Sequence, residues 1–176
     1  AEPQRLARRR AHPALAPGAF RVGLVWQGNP KAPVEKGRSI PLLAFAPLAG
    51  IPGVRFVALQ KGFGREQTPP SGMELADLGD DFDAAGGAFL DSAAVIAGLD
   101  LVITSDTAMA HVAGALGRPV WLIAKRVPEW RWGLSGGLPP WYPSMRIFRQ
   151  SRSGDWSDPM CAVAADLARL AALYGG

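Results

Sequence analysis

Asp106, Thr107 and His111, within TSDTAMAHVAGALGRPVWLI (residues 104–123), are the side chains of this sequence best suited to handling a ligand. Thr107 and His111 are four apart, so on a helix they share a face one turn apart. A helix that starts here presents unpaired backbone N–H groups and the positive end of its dipole, a combination that suits phosphate. The threonine hydroxyl and a ring N–H of the histidine can both donate to phosphate oxygens. Ser105 and Ala108 flank the Asp-Thr pair, and Ala108, Ala110, Ala113 and Gly114 keep the segment slim enough for close approach. The plainer alternative makes Asp106 an ordinary N-cap and His111 a satisfied, partly buried histidine. This segment by itself leaves both readings open.

Three further stretches carry groups of the same kind. In VWQGNPKAPVEKGRS (25–39), Gly28 sits where the backbone must turn and Asn29 follows it, while Arg38 and Ser39 arrive at the start of the next helix. In LQKG (59–62), Gln60 and Lys61 follow an apolar run, and a lysine there can balance a diphosphate. In PEWRWGL (128–134), Trp130 and Trp132 flank Arg131, which offers an aromatic platform and a cation to a base or sugar ring. Each has a bland counterpart: a surface loop, a solvated lysine, tryptophans that pin a loop. Their convergence favours a nucleotide diphosphate, because separate strand ends deliver basic or hydroxyl groups to one rim.

The elements that must position these residues are legible from patterning. Apolar runs at 20–28, 54–60, 100–105, 119–124 and 145–150 read as buried strands, with at most a short strand in MELADLG (73–79). Helices are expected over PLLAFAPLAG (41–50) with Ser39 as N-cap, over 92–99 capped by Asp91, from Asp106 to Gly117, and over 160–175. Strands alternating with helices imply a single Rossmann-like, doubly wound parallel sheet of about six strands. The expected division is a basic linker or tail over 1–19 and a Rossmann-like domain over 20–176. The Trp- and Pro-rich segment 125–144 lacks periodicity, and a loop of that length in a compact domain is functional or disordered; its tryptophans argue for function.

Composition narrows the classes further. The chain has 176 residues, 48% of them hydrophobic, and a net charge of +4, with RLARRR (5–10) supplying four of its arginines. That tail reads as a solvated linker or one end of a helix, and without RNA-binding motifs no nucleic-acid partner is expected. The Asp80–Asp81 and Asp83 run reads as a solvated turn. With His12, His111 and Cys161 as the histidines and cysteine, no metal cluster is expected. There is no G-x-G-x-x-G and no G-x-x-x-x-G-K-[ST], so dinucleotide and P-loop readings lack their defining residues. No apolar run reaches the ~18 residues of a membrane span, and the chain is expected in the cytoplasm, with peripheral attachment at the inner membrane as an alternative. The sequence starts without methionine, and a piece of a longer protein is expected.

As a set, GLVWQGNP, RSIPL, PGVRFVALQKG, DLVITSDTAMAHVAGALGRPVWLI, PEWRW and WYPSMRIFRQ resemble the carboxyl-terminal half of family 9 glycosyltransferases, the heptosyltransferase-like group. The resemblance is closer to the bacterial branch in which this domain follows tetratricopeptide repeats. It implies half of a glycosyltransferase-B fold, binding the nucleotide-sugar donor for an inverting transfer without bound metal or cofactor. Asp106, Thr107 and the backbone after them would hold donor phosphate and sugar with His111 nearby, Lys61 would neutralise the diphosphate, and Gly28, Arg38 and Ser39 would close the phosphate side. Members often have Gly after the Asp-Thr pair; Ala108 stands here and leaves less room for a phosphate oxygen. The partners implied are the donor, an absent amino-terminal acceptor domain that supplies the catalytic base, and tetratricopeptide repeats. No catalytic residue is assigned, and the chain alone is expected to be inactive in transfer. The alternative is a degenerate transferase half that works as a binding or interaction module. An epimerase of the same architecture needs more acid/base histidines than this chain has.

Overall fold

Six parallel strands in the order β3-β2-β1-β4-β5-β6 form the centre of the molecule. The structure is a computed structural model and describes residues 2–84, 87–133 and 141–174. The strands are β1 (Phe20–Val25), β2 (Val54–Ala58), β3 (Leu75–Ala76), β4 (Leu101–Ser105), β5 (Val120–Ala124) and β6 (Met145–Arg149). Around them lie the α-helices α1 (Glu2–Arg10), α2 (Leu90–Ile96), α3 (Ala108–Ala115) and α4 (Ser157–Tyr174). This strand order is that of the doubly wound dinucleotide-binding fold, and its direction reverses between β1 and β4. The expected fold class is therefore the observed one.

Alternation along the strands divides the core into two layers, one on each sheet face. Val25, Val57, Val102, Val120 and Leu122 face the layer of α2 and α3, with Val95, Ile96 and Ala113. Leu24, Phe56, Ile103, Trp121 and Ile123 face the opposite layer, with Phe45, Met160, Val163 and Leu167. Burial on both faces explains why the strands read as continuous apolar runs. Gly23 is dictated by packing, because a Cβ there would lie 2.6 Å from the side chains of Leu59 and Leu99.

Several helix starts differ from expectation. PLLAFAPLAG forms a 3-10 helix over Leu42–Leu48 with Pro41 at its N-cap, rather than an α-helix capped by Ser39. Pro47 lies inside it, and a proline there has no N–H to donate and clashes with the carbonyl one turn back. Asp91 is not the cap of α2; Phe89 holds that position, and the Asp83 carboxylate accepts from the backbone N–H of Asp91 at 2.8 Å. Asp91 returns the bond by accepting from the Asp83 N–H at 2.9 Å. Asp83 also accepts from the Ser92 hydroxyl. Asp83 is thus a structural anchor, while Asp80 and Asp81 stay exposed in the turn as expected.

The solvated reading of the arginine tail is likewise corrected. Residues 2–10 are helical, and Arg9 is 3% exposed, with its Nη1 donating to the Leu78 carbonyl at 3.1 Å. Arg5 and Arg9 both pair with the buried Asp91, at 2.7 and 3.1 Å. Arg9 and Arg8 also pair with Asp81. Four arginines in six residues made the charge conspicuous, but only the distant aspartates 81 and 91 reveal why it is there. No helix among the described residues is long and apolar enough to cross a membrane.

Candidate functional site

A cleft of about 390 Å³ opens at the carboxyl ends of β1, β2 and β4, where the strand order reverses. Ligands of open α/β sheets lie at this position. Gly28, Asn29, Arg38, Gln60, Lys61, Asp106, Thr107 and Ala108 all line it, so the structure brings together most of the residues singled out from sequence. The cleft also takes in Gln27, Glu35, Phe63, Phe89 and Met109.

The loop after β1 is set by Gln60. Its Oε1 accepts from the backbone N–H groups of Trp26 and Gln27, each at 3.0 Å. Its Nε2 donates to the carbonyls of Gln27 at 2.9 Å and Phe63 at 2.7 Å. The amide is thereby fully committed to backbone, and Gln60 positions the loop. The buried Trp26 ring adds a second anchor through its Nε1 bond to the Gly64 carbonyl at 3.1 Å. Further along, Ser39 accepts from the Gly28 N–H at 3.3 Å and donates to the Glu35 carboxylate.

At the corner between β4 and α3, Asp106 does not cap the helix. Thr107 is the N-cap, in extended conformation and without a side-chain cap bond. Asp106 instead pairs with Arg38 at 2.9 Å, and Arg38 also donates to the Asp106 carbonyl. Both side chains are largely buried, and the pair ties the β1 loop to the start of α3. The Thr107 and Thr104 hydroxyls are 3.1 Å apart. Thr104 spends its proton on the Ser105 carbonyl, so Thr107 is the donor of that pair. Ser105 itself is fully buried beneath this corner. The N–H groups of Ala108 and Met109, first in the helix, have no intrahelical acceptor. Lys61, on the third strand end, donates to the carbonyl of Asp83. Phe89 lines the same side with a left-handed φ of 64°, a strained conformation for a bulky residue.

His111, Trp130 and Arg131 lie elsewhere. None of them lines the cleft. His111 stacks on the buried Trp132 with ring centres 5.2 Å apart, and its Nδ1 is 3.1 Å from the Tyr142 hydroxyl. Gly114 leaves the room for that tyrosine, since a Cβ there would fall 2.5 Å from its ring. Burial, helped by the charge of Arg131 and opposed by Asp106, holds the His111 pKa below the usual histidine range. Trp130 is 73% exposed and meets Trp141 edge-on at 6.3 Å, with the Arg131 guanidinium over its ring. Residues 134–140 of the Trp- and Pro-rich segment lie outside the described residues.

Sequence reasoning missed Glu35, Phe63 and Phe89. For Glu35 a signal existed: it stands four residues before Ser39 and three before Arg38, in the loop already marked as turning toward the cleft. Phe63 and Phe89 carried none, because their exposure on a cleft rim depends on loop paths.

The chain is similar to Protein FlbA of Caulobacter vibrioides, with 34% identity over 182 residues that cover 97% of this chain and 29% of that protein. Among solved structures it is similar to ADP-heptose LPS heptosyltransferase II of E. coli, with a TM-score of 0.62 and 17% identity over 98% of this chain and 53% of that one. The E. coli heptosyltransferase WaaC with ADP gives a TM-score of 0.58 and 15% identity over 87% of this chain and 44% of that one. The chain thus spans less than a third of its curated relative and about half of each of these structures. Residues 85–153, which include the corner between β4 and α3, match the family model of glycosyltransferase family 9 (heptosyltransferase), on a fold shared with half of a heptosyltransferase.

Proposed function

We propose that the whole chain is a family 9 glycosyltransferase half that binds a nucleotide-sugar donor, in the cytoplasm, for an inverting and metal-independent transfer completed by a second domain. The observation that carries this reading is the cleft at the reversal of strand order, where Lys61 and the free N–H groups of Ala108 and Met109 converge. Donors of hydrogen bonds and positive charge arranged in this way suit a diphosphate. The structures that share the fold are of an ADP-heptose LPS heptosyltransferase and of the heptosyltransferase WaaC with ADP, which supports a nucleoside diphosphate as the moiety held. The acceptor domain, the general base and the tetratricopeptide repeats belong to this proposal.

Titration with ADP, GDP and UDP by calorimetry tests it. A base-selective response is expected, and a ligand at 100 times its Kd adds about 2.7 kcal/mol of stability. Lys61→Ala should weaken binding about tenfold, in line with the loss of one charge-assisted hydrogen bond, and Thr107→Val, whose hydroxyl proton already goes to Thr104, should weaken it less. Absence of binding by all three diphosphates would remove the donor site. The interaction-module reading draws on one observation: Arg38 is already paired with Asp106, and Lys61 already bonds a carbonyl. Unchanged activity of a longer protein bearing both substitutions would favour that reading.

A further inference from the structure

Glu35 is out of place in a cleft that suits an anion. It lines the wall with Lys61 and Arg38, yet among the described residues it forms an ion pair with neither. One carboxylate oxygen, Oε1, accepts from the Ser39 hydroxyl. The other, Oε2, lies where a side chain on residue 28 would begin: a Cβ on Gly28 would come within 2.6 Å of it. Gly28 has no left-handed backbone that calls for glycine, so the missing side chain serves space, and Glu35 occupies that space. The loop thus makes room for a carboxylate and fixes it by one oxygen.

A carboxylate repels phosphate and accepts hydrogen bonds, so its natural ligands are hydroxyl donors. Ser39 already presents one hydroxyl to it. Acidic residues read ribose hydroxyls in other doubly wound folds. We propose that Glu35 recognises a pair of vicinal hydroxyls on the donor, those of the ribose or those of the transferred sugar, while the diphosphate lies toward Lys61 and the start of α3. This rests on the donor-binding reading above. Glu35 is then a specificity-determining residue: it rewards ligands that bring hydroxyls and penalises an additional phosphate at the same place.

The test compares the wild-type chain with Glu35→Gln and Gly28→Ala by calorimetry. The ligands are ADP, GDP and UDP, their 2′,3′-dideoxy forms, their glucose conjugates, and inorganic pyrophosphate. If the ribose is read, the dideoxy form of the binding nucleotide is about tenfold weaker on the wild type, and Glu35→Gln erases that difference. If the sugar is read, the dideoxy form binds normally and Glu35→Gln weakens the glucose conjugate about tenfold more than the free diphosphate. Gly28→Ala, which displaces the carboxylate, should reproduce the selective loss with pyrophosphate binding retained. Equal affinity of Glu35→Gln and wild type for every ligand overturns the proposal, as does an equal loss for all of them, pyrophosphate included. A wild-type chain that binds none of the nucleotides overturns the donor-binding reading as well, whereas nucleotide binding indifferent to Glu35 overturns only this inference.

Discussion

At the scale of single residues, two polar side chains illustrate how a position can be important without touching a ligand. Gln60 makes its bonds to the backbone of Trp26, Gln27 and Phe63 while 5% exposed. Gln60→Ala leaves those N–H and C=O groups unpaired and should cost on the order of 3 kcal/mol in urea unfolding. His111 has its folded pKa depressed, chiefly by burial. The unfolded chain therefore binds the proton more readily, so stability is lost as pH falls through about 6.5, the ordinary histidine value. Unfolding midpoints measured from pH 7.5 to 5 should fall in the wild type and flatten in His111→Gln. Both roles were obscure in the sequence, which marks Gln60 and His111 as polar residues after strands but not which backbone or ring they meet.

Elements show a clearer division between what is readable and what is not. The strands were legible because burial on both faces leaves an apolar run in β1, β4 and β5 that no other element explains. Helix starts were less so. Asp83 caps α2 from seven residues before its first residue, across a turn with a left-handed φ of 48°. Asp106 resembles an N-cap by type, but its charge is claimed by Arg38 from another loop. The helix α1 is held by Asp91, where burial alone would raise the carboxyl pKa. The Asp83 N–H, Arg5 and Arg9 outweigh burial and hold it below the usual range. That contribution is present above the ordinary carboxyl value and is lost as pH falls through the depressed one. Asp91→Asn removes one of the two carboxylates paired with the buried Arg9, leaving Asp81, and should destabilise the chain by about 3 kcal/mol. Hydrogen exchange should show faster exchange throughout α1.

For the whole molecule, the sheet order marks the place where open α/β sheets bind ligands before any side chain is considered, because the order of the described strands reverses between β1 and β4. Alternation of strands and helices was enough to anticipate that rim and about half of the residues on it. The position of Trp130 and Arg131 was not, since neither lines the cleft and Trp130 meets Trp141 instead. As a one-sheet body spanning about half of the structures it is similar to, the chain on its own is expected to bind a donor without transferring sugar. A radiolabelled-sugar assay with the isolated chain checks this: sustained transfer would place a general base within these residues.

Arg5 and Arg9 grip Asp91, Asp91 and Asp83 exchange backbone bonds, and the carbonyl of Asp83 holds Lys61. A continuous run of ion pairs and hydrogen bonds therefore joins the first helix to an ammonium group on the rim of the cleft.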